Sequence, residues 1–177
     1  MYDSVDLGQI PADAHAVAGY VNGRWPTFPE VRRRWPKARH LSVAVSASAH
    51  ARCLDVERFD ATPAQAPAWI RRQLLAGVHK PVIYCSLVTA APLLRVLERA
   101  NISRHAVKLW TAHYTGRPHR CGPQCGLGLG TTADATQWTN RALGRNLDAS
   151  LCAPDFIPLP LVHRVQHEIS AHLFGRI

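Results

Sequence analysis

Short apolar runs alternate along the chain with stretches whose apolar residues recur every three or four positions. The runs at 17–21, 41–45, 53–57, 81–85, 106–110 and 134–138 read as strands, several with the period-two alternation of a half-buried ladder. Between them, Thr27 with Glu30 and Thr62 with Gln65 have the spacing of capping boxes, and Pro29 and Pro63 sit where a first helical turn accepts proline. The first helix is expected to end near Trp35, because Pro36 cannot continue it. The second carries Trp69, Ile70, Leu74 and Leu75 at the spacing of one buried face and stops at Gly77. Thr89 is expected to cap a third, which runs through Leu93, Leu94, Val96 and Leu97 to Asn101. From 116 to 132 a glycine-rich loop replaces the next helix, and so long a loop in a compact domain is usually functional. The tail is apolar over 156–162 and then helical over 163–175, with Val165, Ile169 and Leu173 on one stripe.

Strands alternating with helices predict a parallel sheet covered by helices. A full eightfold barrel takes about 250 residues, and this chain has 177. The expected fold is therefore α/β, an irregular, abbreviated TIM-like β/α barrel. One domain spans 1–177, with the 163–175 helix packed on it.

Composition changes that picture little. Hydrophobic residues at 47% and charged residues at 19% fit a globular core and exclude a disordered or fibrous chain. No run approaches the roughly 18 apolar residues of a membrane-spanning helix. Residues 1–10 carry Asp3 and Asp6 and no basic segment, so no secretory signal is expected. Such a chain would stay cytoplasmic until released, or leave by a non-classical or holin-like route. Charge adds more. The net +9 attracts polyanions, whether nucleic acid, acidic membrane or anionic cell wall. Apart from Arg32, Arg33, Arg34 and the Arg71–Arg72 pair, the basic residues are scattered, which predicts a basic surface and no stable nucleic-acid partner.

Five cysteines make no disulfide scaffold, and Cys53 and Cys85 lie in apolar runs as core thiols. Cys121 and Cys125 share the glycine-rich loop with His119. That loop supplies at most three of the four ligands of a structural zinc, so a local disulfide or free thiols are expected there. His163 and His167, one helical turn apart, read as solvated residues of a terminal helix.

The sharpest chemistry is in Cys53-Leu-Asp-Val-Glu57. Residues two apart on a strand face the same side, so Asp55 and Glu57 project together while Leu54 and Val56 face the helices. Two carboxylates at the C-terminal end of a central strand are costly to bury unless they are used or paired, and barrel active sites lie at that end. A salt bridge to Arg24, Arg52 or Arg58 is the structural alternative. Asp3 and Asp6 end the first strand, and Tyr20, Trp110, His113, Tyr114, Gln137 and Trp138 end others. Paired carboxylates flanked by aromatic rings suit glycoside hydrolysis: one acid protonates the leaving oxygen, the other supports the oxocarbenium-like centre, and the rings stack on sugar faces. Two carboxylates suffice for that reaction, so neither a cofactor nor a catalytic metal is expected.

These segments resemble glycoside hydrolase family 25, the lysozyme-type muramidases of bacteria and their phages. Asp55-Val-Glu57 is similar to the family's Asp-x-Glu, and Tyr2-Asp-Ser-Val-Asp6 to its opening Gly-Ile-Asp-x-Ser strand. Pro81-Val-Ile-Tyr-Cys-Ser86 is similar to Pro-x-x-Tyr-x-Ser, and Leu109-Trp-Thr-Ala-His-Tyr114 to Leu-Trp-x-Ala-x-Tyr. Thr136-Gln-Trp138, followed by Asn146-Leu-Asp148, is similar to the closing Trp-Gln-Tyr and Asp-x-Asn signatures. The resemblance covers roughly 2–150 and looks closer still to uncharacterised actinobacterial and phage relatives of that family. Tyr2 replaces the family's opening glycine, and 118–129 has no counterpart. The resemblance implies cleavage of the β-1,4 bond between N-acetylmuramic acid and N-acetylglucosamine, with Glu57 as general acid and Asp55 as its partner. Asp3 or Asp6 would take the place of the N-terminal aspartate, and Asp134 or Asp148 that of the late one. Tyr84 joins Tyr20, Trp110, His113, Tyr114, Gln137 and Trp138 as a substrate-binding candidate. The implied partner is peptidoglycan or another anionic polysaccharide. A non-catalytic wall-binding module on the same barrel and a basic nucleic-acid-associated protein are the alternative readings.

Overall fold

A computed structural model describes residues 1–128 and 130–158. The expected tail helix at 163–175, with His163 and His167, lies outside the described residues.

Eight strands close into one barrel in sequence order. They are β1 (Tyr2–Asp3), β2 (Ala16–Tyr20), β3 (Arg39–Ala44), β4 (Cys53–Asp55), β5 (Val82–Ser86), β6 (Lys108–Ala112), β7 (Ala135–Thr139) and β8 (Asp148–Cys152). From β1 to β7 every neighbouring pair is parallel. β8 runs the other way and pairs antiparallel with both β7 and β1, which closes the ring. Among the described residues three helices cover the outside: α1 (Phe28–Arg34), α2 (Ala66–Leu75) and α3 (Leu87–Arg99). The molecule is thus a closed eight-stranded α/β barrel.

Alternation along the strands sorts side chains into two layers. Leu41, Val43, Cys53, Val82, Tyr84, Trp110 and Ala135 point inward, and Phe156 and Ile157 pack against them. Leu54, Val56, Ile83, Cys85 and Leu109 point outward and pack under Trp69, Ile70, Leu93 and Leu97 of the helices. Both core cysteines expected from the sequence are buried, one in each layer.

The helices correct three expectations. In α2 the buried stripe is Ala66, Trp69, Ile70 and Gln73, whereas Leu74 is half exposed and Leu75 is 90% exposed. A stripe set by Ala66 and Trp69 returns at position 73, so the two leucines fall past its edge. Thr27 does not cap α1. Its hydroxyl accepts instead from the Tyr20 amide at 3.1 Å, and Glu30 pairs with Arg33. α3 starts from Ser86, and Thr89 lies inside its first turn with its hydroxyl 2.9 Å from that of Ser86.

Candidate active site

Parallel pairing brings the polar strand ends into one ring. Asp55 on β4 pairs with Tyr84 on β5, and Tyr84 with Trp110 on β6. Across the closing seam Asp3 of β1 sits opposite Asp148 of β8. Because β8 is antiparallel, its first residue arrives at the same barrel end as the last residues of the parallel strands. At that end a cavity of about 160 Å³ is lined by Asp3, Asp55, Glu57 and Asp148, with Tyr20, Tyr84, Trp110, Tyr114 and Gln137 around them and Val43 below.

Glu57 reaches the cavity although β4 ends at Asp55. The Val56 amide still bonds to the Tyr84 carbonyl at 2.9 Å, so the extended alternation continues two residues further. Asp3 is 5% and Asp55 4% exposed, and Oδ1 of each lacks a hydrogen-bond partner among the described residues. Among the described residues no arginine or lysine lines the cavity. The described ion pairs are Glu30–Arg33, Arg104–Asp134 and Lys108–Asp155, all elsewhere. Buried carboxylates without a counter-charge favour the protonated form. Burial, reinforced by Glu57, Asp60 and Asp3, pushes the Asp55 carboxyl up to about 8. Glu57 is raised by burial and by Asp60 and Asp148. Burial and the facing Asp148 raise Asp3, with the N-terminal ammonium opposing. Asp148 is raised by burial, while a hydrogen bond with Gln137 acts the other way.

The aromatic wall is fixed by its own contacts. The Tyr84 hydroxyl donates to Gln137 Oε1 at 2.6 Å, and Trp110 Nε1 donates to Ser150 Oγ at 3.0 Å. The Tyr84 and Trp110 rings lie 4.5 Å apart at 57°. Burial raises the Tyr20 and Tyr84 hydroxyls far above their ordinary range, and it pushes Tyr114 up to about 12.

Four sequence candidates lie outside the cavity. Asp6 is exposed and caps the 3-10 turn Leu7–Gln9, accepting from the Gly8 amide at 3.0 Å and from Gln9 Nε2 at 2.9 Å. It therefore ends no strand, and Asp3 is the N-terminal aspartate of the site. Asp134 precedes β7 at the opposite barrel end, where it binds Arg104 at 2.6 Å and the Leu109 amide at 2.8 Å. Asp148 is the late aspartate in the cavity. Trp138 follows the inward-facing Gln137 and so points outward, against Leu147 and its neighbours. His113 turns away toward His119 and Cys121. Val43 was not named from the sequence, although its alternation with Leu41 on one strand face is the signal that marks it.

A larger groove of about 630 Å³ lies between the end of α3 and residues 130–131, among Leu94, Leu97, Ile102 and Arg104. Its one carboxylate is Glu98, so the acid chemistry belongs to the smaller cavity. Comparisons with family models, with curated proteins and with solved structures return no match for this chain.

Proposed function

We propose that the protein is a peptidoglycan glycosidase that cleaves the β-1,4 bond between N-acetylmuramic acid and N-acetylglucosamine. Its barrel is, in this reading, an irregular and abbreviated TIM-like one, similar to that of the family 25 muramidases. One observation carries the proposal: four carboxylates and four aromatic rings converge on one cavity, and among the described residues no basic side chain neutralises the acids. A structural role would pair them, because isolated buried charge costs several kcal/mol. General acid catalysis needs a carboxyl that keeps its proton near neutral pH.

Glu57, the least buried of the Asp3–Asp55–Glu57 group, gives its proton to the leaving glycosidic oxygen. Asp55, deeper and protonated at pH 7, faces the sugar as its partner. Asp148, the less buried of the facing Asp3–Asp148 pair, supplies negative charge beside the anomeric carbon as the C–O bond breaks. Water then adds to that carbon and returns its proton to Glu57, which restores the acid. Tyr84, Tyr114 and Trp110 offer faces and hydroxyls to the ring. A cavity this small takes one edge of a sugar, so the rest of the glycan lies across the rim. The +9 charge suits an anionic wall.

The test is clearance of purified cell walls together with release of reducing ends. The native protein clears them, and Glu57→Gln lowers the rate by roughly a hundredfold or more, the scale of a lost general acid. Sedimentation with walls without any release of reducing ends would leave only a binding module.

A further inference from the structure

We propose that His113, His119, Cys121 and Cys125 bind a structural zinc ion that pins the long loop after β6. The sequence offers three of these residues within seven positions. The fold adds the fourth, His113, the first residue past β6. One ligand atom from each of the four lies within 4.8 Å of all the others. His113 Nδ1 is 3.1 Å from His119 Nε2 and 3.3 Å from Cys121 Sγ, and Cys121 Sγ is 3.5 Å from His119 Nε2. A tetrahedron with Zn–N of about 2.05 Å and Zn–S of about 2.3 Å has N–N edges of about 3.3 Å and N–S edges of about 3.6 Å. The three separations among His113, His119 and Cys121 fall within a few tenths of an ångström of those edges, and Cys125 Sγ completes the set within 4.8 Å of each.

The surroundings are those of a ligand set. His119 Nδ1 lies 2.9 Å from the Arg117 carbonyl, which can only accept, so Nδ1 carries the proton and Nε2 turns a lone pair toward the other three groups. The Cys121 amide donates to Thr136 Oγ1 at 2.8 Å, and its carbonyl accepts from the Ala133 amide at 2.8 Å. Cys125 closes the 3-10 turn Pro123–Cys125, and Gly126 follows with φ of 74°. Both thiols are free. Two thiolates and two imidazoles, with no carboxylate, are the donor set of a closed tetrahedral zinc site. Apart from its short turns the loop has little regular structure, and it carries Tyr114 into the cavity directly beside His113. A metal clip there would hold that wall in place.

The full chain, purified under reducing conditions with any affinity tag removed, should contain about one zinc per molecule, falling below about 0.1 in Cys121→Ser/Cys125→Ser. Cobalt added to the metal-stripped native protein should give the visible bands of a tetrahedral site with thiolate charge transfer. That second measurement decides the matter even if the double variant does not fold. Zinc below a tenth of an equivalent together with no tetrahedral cobalt spectrum would overturn the proposal. So would full zinc retention by the double variant, or a Cys121–Cys125 disulfide in protein purified without reductant.

Discussion

At Asp55 a single carboxyl sets stability against the proposed activity. Its ordinary value is 3.8, and in the folded chain it is pushed up to about 8. Between those values the folded state holds a proton that the unfolded state has released. Stability from this group is thus fully present below about pH 4 and lost as pH rises through about 8. Asparagine keeps the shape and removes the charge. Asp55→Asn should therefore raise Tm at pH 8 by about 4 °C or more, with the gain shrinking toward pH 5, for roughly 2–4 °C per kcal/mol at this size. Calorimetry at the two pH values checks it; equal shifts at both would show that burial does not control this carboxyl. Activity should fall in the same variant, because groups strained for chemistry commonly cost stability. Strand alternation alone made Asp55 and Glu57 legible as a pair. It could not choose between Asp3 and Asp6, because only the fold reveals that Asp6 is spent on a local cap.

Among the elements, α2 departs furthest from its sequence pattern. Two leucines promised a buried stripe, yet the stripe closes on Gln73, which is fully buried with neither amide atom hydrogen-bonded among the described residues. An unsatisfied buried amide costs about 1–3 kcal/mol. Gln73→Leu, of similar volume, should raise stability by about 1 kcal/mol in urea unfolding. Leu75→Ser, on the exposed side, should change it by less than about 0.5 kcal/mol. A destabilised Gln73→Leu would mean that its amide is needed. Strands with continuous apolar runs were readable to within a residue or two. β8 was not read as a strand, because Asp148-Ala-Ser-Leu-Cys152 is short, half polar and antiparallel to its neighbours. The loop after β6 was legible as a feature, but its fourth candidate ligand, His113, precedes the glycine-rich stretch and needed the fold to turn it toward the others.

For the molecule as a whole, charge and closure matter most. Arg32, Arg33 and Arg34 on α1 are all exposed and stand clear of the cavity. Replacing Arg32 and Arg34 with glutamate should lower retention on anionic walls at low salt, with the difference vanishing by roughly 0.5 M salt, where screening is nearly complete. Turnover of a soluble glycan fragment should stay unchanged, and an equal loss there would assign α1 to the site itself. No helix among the described residues is long and apolar enough to cross a membrane.

Closure rests on a narrow join. β1 meets β8 through two residue pairs, Tyr2–Ala149 and Asp3–Asp148, braced by the Ser150 amide donating to the Met1 carbonyl at 2.8 Å. One of those two pairs sets acid against acid. Alkaline conditions ionise both and push the first and last strands apart, so the ring should unzip here before anywhere else. Deuterium uptake at Ser150, corrected for intrinsic exchange, should then accelerate with pH well ahead of amides in β5 and β6. The carboxylate-lined cavity and the hoop's clasp are one and the same, and a barrel so built loses its acid cluster and its circular shape in a single event.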